Sequence, residues 1–271
     1  MPELPEVEVL RRGLESHLTG CEIKRVRTAR YDLRYPLPDL DAVLSGCIFR
    51  RIGRRGRYLL FFFDHVLLVW HLGMTGQFHI LAQEAPAGVH EHVSFTLSGG
   101  TSLRYRDARR FGYAALLPEA GWQQHHWFRN MGPEPFADAF NADYLISCCW
   151  RRRASIKQVL MDARVVAGIG NIYASEALHR AGIHPARAAK RISGERLHRL
   201  VDSLRQVLSE AIAAGGSTIS DFVRADGRPG YFAHAFQVYG RRGKPCLRCG
   251  TAIRRIVQSG RSTFYCPACQ H

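Results

Sequence analysis

The chain has 271 residues, a length that suits one large domain or two modest ones. Apolar residues make up 46% of it, so the composition excludes a disordered tail and predicts a sizeable core. Lysine and arginine number 38 against 23 acidic residues, which gives a formal net charge of +15. Such a charge favours an anionic partner, which is nucleic acid, an anionic membrane or an acidic protein.

The sequence does not predict a membrane-spanning segment. Its most apolar stretch, 58–70, is interrupted by Asp64 and His65, whereas a span needs about 20 apolar residues in a row. Acidic residues at the start of the chain argue against a secretory signal. We therefore expect a cytoplasmic protein whose cysteines are reduced or bind metal.

The first half of the chain alternates short apolar runs with turn residues. Apolar periodicity predicts an amphipathic helix over about 5–19. From about 22 to 117 the pattern is mostly that of strands, which predicts a sandwich or barrel with the helix packed on it. The predicted strands are 57–63, 66–71, 76–81, 92–97, 101–106 and 112–117.

The second half has a helical pattern. Prolines and glycines between 118 and 141 indicate a linker, and 217–240 is predicted to be a loop with one short helix. We predict an α+β protein with a β-sandwich domain at 1–130, a helical domain at 131–240 and a cysteine module at 241–271. The predicted helices are 142–150, 156–161, 172–181 and 194–214.

Four cysteines in the last module form two CxxC pairs, Cys246 with Cys249 and Cys266 with Cys269. Each pair can place two thiolates on one tetrahedral ion, so the spacing predicts one structural zinc ion without an open coordination position. Two disulfides or four unrelated thiols are the alternatives. A hairpin with a basic tip is predicted between the pairs and would suit a phosphate backbone. Buried, apolar positions are predicted for the other cysteines, Cys21, Cys47, Cys148 and Cys149.

The amino terminus carries a possible nucleophile. Removal of the initiator methionine would leave Pro2 as a secondary amine, and an α-amino group has a pKa of about 8. Its neutral form can attack an aldehyde and form a Schiff base. Glu3 and Glu6 would share one helical face and could move protons for this amine. Glutamates in a first helical turn are also favoured by the helix dipole, so these residues alone leave both interpretations open.

Longer motifs connect the chain to a known family. In order, they are MPELPEVE at the start, HLGMTG at 71–76, RDARRFG at 106–112, LMD at 160–162, VAGIGNIYASE at 166–176 and DGRPGYF at 226–232. With the four cysteines at the end, the whole chain resembles the bacterial formamidopyrimidine-DNA glycosylases. The resemblance implies a helix–two-turns–helix motif in the helical domain. It also implies a monomeric enzyme that acts on damaged double-stranded DNA in the bacterial cytoplasm and is associated with the nucleoid.

The resemblance further implies a bifunctional base-excision repair enzyme. Such an enzyme excises oxidised purines, chiefly 8-oxoguanine and formamidopyrimidines, and then cuts the abasic strand by β,δ-elimination. By resemblance Pro2 is the nucleophile, Glu3 is the proton donor that helps to open the sugar ring, and Glu6 supports them. Arg261 corresponds to the residue of the second strand-cleavage step.

DNA contacts are also implied by the resemblance. Met74, Arg109 and Phe111 would fill the gap left by the flipped base, and Arg109 could hydrogen-bond the orphaned cytosine. The segment 217–226 would cover the flipped base. Without the family, Met74 and Phe111 suit ordinary core packing. Further contacts are implied for His71, His90, Arg152 and Asn171, although lone histidines are more often structural and a charge run is more often a solvated face.

One position departs from the family pattern. The family usually has Gly-Lys-Tyr-Leu-Leu where this chain has Gly56 followed by Arg57. Arginine keeps the charge and can grip a phosphate with two hydrogen bonds, but it does not readily donate and regain a proton. We therefore expect Arg57, in the catalytic position of that lysine, to preserve DNA binding and to change base preference or lyase efficiency.

Three other functions compete with this interpretation. The related endonuclease VIII type prefers oxidised pyrimidines, but it typically opens MPEGP rather than MPELP. A DNA-damage binder without catalytic activity would not need the Pro2 and Glu3 pair. A zinc-ribbon RNA binder would need neither an amino-terminal amine nor an abasic substrate.

Overall fold

The computed structural model describes residues 1–216 and 236–271. The described residues form two compact units, Met1–Arg129 with 214–216 and Asn130–Ala213 with 236–271. The helical segment and the cysteine module thus share one unit, and their division into domains at 131–240 and 241–271 stays a prediction. Among the helices of the described ranges, none is both long and apolar enough to cross a membrane.

The first unit is a sandwich of two four-stranded antiparallel sheets, as predicted. Its strands are β1 (Ile23–Thr28), β2 (Arg51–Arg55), β3 (Tyr58–Phe62), β4 (Val66–His71), β5 (Gln77–Ala82), β6 (Glu91–Leu97), β7 (Thr101–Arg106) and β8 (Tyr113–Pro118). One sheet has the order β1-β6-β7-β5 and the other has the order β2-β3-β4-β8. The sequence analysis did not single out β1, β2 or the short helix α2 (Leu40–Leu44), because charged residues dominate the two strands.

Aromatic side chains join the two sheets. Trp70 in β4 contacts Phe78 in β5 and Tyr105 in β7, with ring centroids 5.1 and 4.6 Å apart. All three rings are fully buried. Tilted and edge-on ring pairs of this kind add stabilisation beyond the area they bury. The interlocked rings therefore fix the end of β4, where His71 is located.

Helix α1 (Leu4–Leu18) packs on the second sheet and begins one residue before the predicted start. An ion-pair network holds it there. Glu8 Oε2 accepts a hydrogen bond from Arg54 Nε of β2 at 3.0 Å, and Arg11 Nη1 donates to the carbonyl oxygen of Ile52 at 3.2 Å. Burial raises the pKa of Glu8, but hydrogen bonds from Arg11, Arg12 and Arg54 outweigh it and lower that pKa. The start of α1 is thereby fixed relative to the turn between β2 and β3.

The second unit contains four helices and one hairpin in its described part. They are α3 (Ala142–Cys149), α4 (Ile156–Met161), α5 (Asn171–Arg180), α6 (Gly194–Ala213), β9 (Arg254–Gln258) and β10 (Arg261–Tyr265). Every predicted helix is confirmed to within one residue. Asn141 and Ser155 explain two of the starts, because their side chains accept hydrogen bonds from backbone N–H groups of the first turn. The predicted loop at 217–240 lies largely outside the described residues.

The cysteines outside the finger do not follow the prediction of burial. Cys149 is buried, whereas Cys21, Cys47 and Cys148 are partly exposed, so the prediction was wrong for these three. Cys21 and Cys47 lie just beyond the ends of α1 and α2, where their thiols face backbone carbonyls of the preceding turn. Both side chains still pack against the core of the first unit, so a partly buried position near a helix end replaces the full burial that was expected.

A buried carboxylate in α5 holds the chain where it re-enters the second unit. Glu176 is 3% exposed, and it accepts hydrogen bonds from the backbone N–H groups of Gln237, Val238 and Tyr239 at 2.9, 3.1 and 2.8 Å. Burial raises the pKa of Glu176, and these three hydrogen bonds oppose that shift. The carboxylate therefore satisfies the backbone N–H groups of 237–239, which a helix or a sheet would satisfy elsewhere.

We expect Glu176→Gln to destabilise the protein by about 2 kcal/mol, because an amide group would turn its own donor toward backbone donors. Urea unfolding followed by fluorescence measures the change. Glu195→Gln is the matched control, since that side chain is 80% exposed and its ion pair with Arg199 is worth less than about 0.5 kcal/mol. Equal unfolding midpoints for the two variants would contradict the role of Glu176.

Candidate active site and DNA-binding surfaces

The predicted proton-handling residues form the N-terminal cap of α1. Glu3 is the cap residue, and its backbone N–H donates to Glu6 Oε2 at 2.9 Å. The Glu3 side chain faces the backbone N–H of Glu6 in return, which completes a capping box. Both residues are buried, at 4% and 3% exposure. The two glutamates thus hold the turn that begins directly after Pro2.

Arg57 lies beside the amino terminus. It follows Gly56, whose carbonyl oxygen accepts a hydrogen bond from Arg54 Nη1 at 2.9 Å, and this contact fixes the turn between β2 and β3. The guanidinium of Arg57 approaches the Met1 sulfur, with 3.9 Å between Nη1 and Sδ. The structure therefore brings together the amine-bearing end of the chain and the residue that departs from the family pattern.

His71 is held between two tyrosine rings. It stacks on Tyr113 with centroids 4.8 Å apart, and it meets Tyr58 edge-on at 5.0 Å. Burial lowers its pKa to about 3, and the positive charges of Arg57, Arg34 and the amino terminus act in the same direction. Its Nδ1 is 3.0 Å from the backbone N–H of Gly73. Because Nδ1 accepts that hydrogen bond, the neutral ring carries its proton on Nε2.

Two interlocked loops present the predicted gap-filling residues. Met74 and Phe111 are 38% and 41% exposed, so core packing is excluded for both. The guanidinium carbon of Arg109 lies 4.8 Å from the centroid of the Phe111 ring. Gly73 allows the close approach of the loops, since a Cβ there would overlap the backbone of Phe111. All three side chains are thus presented together.

Asp107 anchors these loops and was not predicted as a site residue. Its carboxylate accepts hydrogen bonds from the Thr75 hydroxyl, the backbone N–H of Arg109 at 3.3 Å, the N–H of Gly112 at 2.7 Å and the Tyr105 hydroxyl at 3.1 Å. Asp107 is 1% exposed. An acidic residue inside the basic run 104–110 was the signal in the sequence. A carboxylate in such a run is suited to accept hydrogen bonds from several donor groups.

His90 lies at the other side of the same loop. Its carbonyl oxygen accepts a hydrogen bond from the backbone N–H of Asp107 at 3.0 Å, and its side chain is exposed. Its φ is 61°, a left-handed conformation that is uncommon for a residue with a side chain. The predicted contact residue His90 is therefore attached directly to the loop that carries Arg109 and Phe111.

In the second unit, Asn171 and Arg261 line one cavity of about 220 Å³. Asn171 Nδ2 donates to the carbonyl oxygen of Ser262 at 2.9 Å, which ties the start of α5 to strand β10. Arg261 is exposed at the turn of the hairpin, whereas Arg254 and Arg255 lie at its opposite end. The predicted basic tip therefore consists of Arg261 alone among these three residues.

Lys157 lines the same cavity and was missed by the sequence analysis. It is 2% exposed, and its Nζ donates to Asn171 Oδ1 and to Thr263 Oγ1, each at 2.6 Å. A charged amine is costly to bury without such partners. A lysine next to the buried Ile156 on a short apolar helix was the signal that could have identified it.

Arg152 is not among the residues that line this cavity, but it is close to one of them. Its Nη1 is 3.6 Å from Asp162 Oδ2, and Asp162 also pairs with Arg164 at 3.0 Å. The hydrogen bond from Arg164 lowers the pKa of Asp162. Asp162 is therefore an anion that orients Arg152, whose side chain is 42% exposed.

The four finger cysteines meet the geometric requirement for zinc. Their sulfur atoms lie within 4.8 Å of one another. Two of the separations are 4.0 Å, between Cys246 and Cys269, and 3.4 Å, between Cys249 and Cys266. Tetrahedral coordination with Zn–S bonds of about 2.3 Å places sulfurs about 3.8 Å apart. The donor set fits one structural zinc ion, and unrelated thiols are excluded by the convergence.

Family models describe all three parts of the chain. The formamidopyrimidine-DNA glycosylase N-terminal domain matches residues 1–114, and the H2TH domain of the same glycosylases matches 131–223. A zinc finger found in FPG and IleRS matches 243–271. The chain is thus built as a DNA glycosylase with a helix–two-turns–helix motif and a zinc finger, as the motifs predicted.

Individual proteins agree with these models. The formamidopyrimidine-DNA glycosylase of Thioalkalivibrio sulfidiphilus is 49% identical over 271 residues, with both chains covered in full. The chain therefore belongs to the formamidopyrimidine-DNA glycosylase family. A complex of Lactococcus lactis Fpg with abasic-site DNA has a TM-score of 0.93 at 33% identity and 99% coverage of both chains. A complex of the same enzyme with DNA containing an oxidised pyrimidine has a TM-score of 0.92 at 34% identity, with full coverage of both chains.

The low pKa of His71 predicts a pH-dependent stability. The unfolded chain binds a proton at His71 below its ordinary pKa of about 6.5, whereas the folded protein does so only near pH 3. The contribution of His71 to the free energy of unfolding is therefore fully present above pH 6.5, and it is lost as the pH falls toward 3. We expect His71→Gln to reduce the loss of unfolding free energy between pH 6.5 and 5 by about 1.6 kcal/mol.

Urea unfolding at a series of pH values measures this slope. His65→Gln is the control, because His65 is exposed on the turn between β3 and β4. An unchanged slope in the His71 variant would show that this histidine titrates in the folded protein as it does in the unfolded chain.

Proposed function

We propose that this protein is a bifunctional DNA glycosylase and AP lyase of base-excision repair that excises oxidised purines from duplex DNA. The observation that carries the proposal is the amino terminus. Pro2 directly precedes a buried capping box of Glu3 and Glu6, and Arg57 lies at the same end of the unit. Membership of the glycosylase family supports the substrate class, with 8-oxoguanine and formamidopyrimidines as the lesions.

In the proposed reaction, Pro2 supplies the electron pair once Met1 has been removed. Its nitrogen forms a bond to C1′ of the damaged nucleotide, and the glycosidic bond breaks so that the base leaves with the bonding pair; the proton that the Pro2 nitrogen loses balances the proton that the base gains. Glu3 donates a proton to the sugar ring oxygen, which opens the ring and leaves a Schiff base on Pro2. Glu6 holds the Glu3 backbone through its hydrogen bond and thereby positions both residues.

Strand cleavage follows from the Schiff base. The iminium acidifies the protons on C2′, so loss of one of them expels the 3′ phosphate by β-elimination. A second proton loss, from C4′, expels the 5′ phosphate by δ-elimination. We assign Arg57 to the first step and Arg261 to the second, in line with the resemblance of the sequence to the family.

The remaining assigned residues hold DNA. Met74, Arg109 and Phe111 enter the gap left by the flipped base, and the rigid loops that carry them limit the ordering cost of insertion. Base flipping itself costs a few kcal/mol. Phosphate contacts are assigned to the other residues, His71, His90, Arg152 and Asn171. We place this monomeric enzyme in the bacterial cytoplasm, associated with the nucleoid through its DNA binding.

Borohydride reduction on an abasic duplex tests the chemistry directly. We expect a covalent protein–DNA adduct with the processed protein, because reduction converts the Schiff base into a stable amine. Pro2→Gly and a form that retains Met1 should give much less adduct. Pro118→Ala, an exposed proline at the end of β8, is the matched control and should trap normally. Absence of any adduct with the processed protein would rule out the lyase activity.

Arg57→Lys tests the departure from the family pattern. We expect the affinity for undamaged duplex to change by less than about threefold, since the charge is kept. The ratio of base release to strand nicking should change, because lysine can donate and regain a proton. Single-turnover rates on 8-oxoguanine and formamidopyrimidine duplexes measure both steps, and Arg51→Lys on β2 is the control. Unchanged rates of both steps on both lesions would count against a special role of Arg57.

A substrate panel separates the competing functions. The proposal predicts faster excision of the two oxidised purines than of an oxidised pyrimidine from otherwise identical duplexes. The opposite order would favour the endonuclease VIII type, and binding without excision would favour a damage binder.

A further inference from the structure

The segment 29–37 of the first unit carries cations and aromatic rings on the surface. Tyr31 and Tyr35 are 57% and 48% exposed. The segment is not a loose loop, because the N–H of Leu37 donates to the carbonyl oxygen of Tyr31 at 2.9 Å and closes it on itself.

This segment is attached to the loop that presents the gap-filling residues. The backbone N–H of Arg34 donates to the carbonyl oxygen of Gly112 at 3.1 Å. Arg110 Nη1 pairs with Asp32 Oδ2 at 3.2 Å, and Arg30 Nε pairs with the other oxygen of Asp32 at 2.6 Å. Asp32 therefore pairs with both Arg30 and Arg110, and it joins the two loops.

The side chain of Arg34 lies over aromatic rings instead. Its guanidinium carbon is 5.8 Å from the centroid of Tyr113 and 5.7 Å from that of Tyr35. The ring of Tyr113 also stacks on His71, so Arg34 and His71 share one aromatic support. Within the described residues, Arg34 forms no ion pair with an acidic side chain, in contrast to Arg30 and Arg110.

Positive charges lie near this support. Arg34, Arg57 and the amino terminus each act on His71 by lowering its pKa, so all three lie within electrostatic range of one imidazole. Positive charges gathered near one point favour the approach of an anion. A planar guanidinium held on a ring is suited to a phosphate oxygen, because its N–H edge stays available.

We infer that Arg34 is a further DNA-binding residue, which contacts a phosphate of the damaged strand beside His71. The inference rests on the proposed function, since that function supplies the DNA. The contact would place the segment 29–37 on the DNA surface and would distinguish Arg34, which forms no ion pair within the described residues, from Arg30, which is paired with Asp32.

The salt dependence of DNA binding tests this assignment. Each phosphate contact made by a cation contributes about 0.9 to the slope of log affinity against log salt. We expect Arg34→Gln to lower the slope by about this amount and Arg34→Lys to retain it. Arg30→Gln, four residues away in the chain, is the matched control and should keep the wild-type slope, because the Arg30 guanidinium is paired with Asp32. The measurement uses the whole protein and a duplex with a stable abasic-site analogue, so that no cleavage occurs.

A second measurement does not depend on DNA. Removal of the Arg34 charge should raise the pKa of His71, which an NMR titration of its ring protons detects, whereas Arg30→Gln should leave it in place. A slope for Arg34→Gln equal to that of the wild type would overturn the inference. The affinity of wild type and Arg34→Gln for inorganic phosphate is measured as well. If the substitution weakens phosphate binding as much as it weakens binding of the duplex, Arg34 belongs to a free-anion site and the assignment to DNA is overturned.

The two experiments distinguish a failure of the proposed function from a failure of the Arg34 contact. If the wild type binds the duplex with the expected slopes but gives no borohydride adduct, the lyase activity is wrong and the Arg34 contact stands. If the adduct forms and the slopes of wild type and Arg34→Gln coincide, the contact is wrong and the activity stands.

Discussion

The buried carboxylate of Asp107 is the contact on which the DNA-facing part of the first unit depends. Met74, Arg109 and Phe111, which we propose enter a duplex, are exposed, so burial in the core cannot fix them. Three donors from the two loops and the Tyr105 hydroxyl of β7 converge on this one carboxylate. A buried, fully hydrogen-bonded charge strongly favours one geometry, because any shift leaves it unpaired. The exposed residues are thus positioned through a residue that never leaves the interior.

Elsewhere in the chain, too, an interior polar group positions a neighbouring residue. Glu6 positions Glu3 at the start of α1, and Glu8 connects that helix with the strand that leads to Arg57. In the second unit, Lys157 holds Asn171 and the hairpin strand of Arg261. In each case a buried polar group with several partners supports a neighbouring residue that is assigned to chemistry or to DNA. Rigid support of this kind lowers the ordering cost that binding would otherwise include.

Much of this organisation is readable in the sequence, and the limits have physical causes. Cysteine spacing predicted the zinc site because coordination geometry fixes the spacing, and helix periodicity placed all four helices of the second unit. The strands β1 and β2 were not singled out because their charged residues hide the alternation that marks a strand. Asp107 and Lys157 were missed because their partners come from distant parts of the chain, and a single sequence does not show which donors will converge. Burial of Cys21 and Cys47 was wrongly expected, since composition gives the average environment of a cysteine and not its place at a helix end.

The hydrogen bond between Gly73 and Nδ1 of His71 has a consequence for the way the protein is attached to a polyanion. It leaves an uncharged donor at Nε2, and an uncharged donor displaces no condensed cation when it meets a phosphate. In the proposed contact, His71 would therefore contribute direction rather than counterion release. Across the pH range of a living cell this contact would stay the same, whereas the contacts proposed for the arginines would weaken as the salt concentration rises. The position of the strand would then depend on one group and the salt dependence of its binding on others.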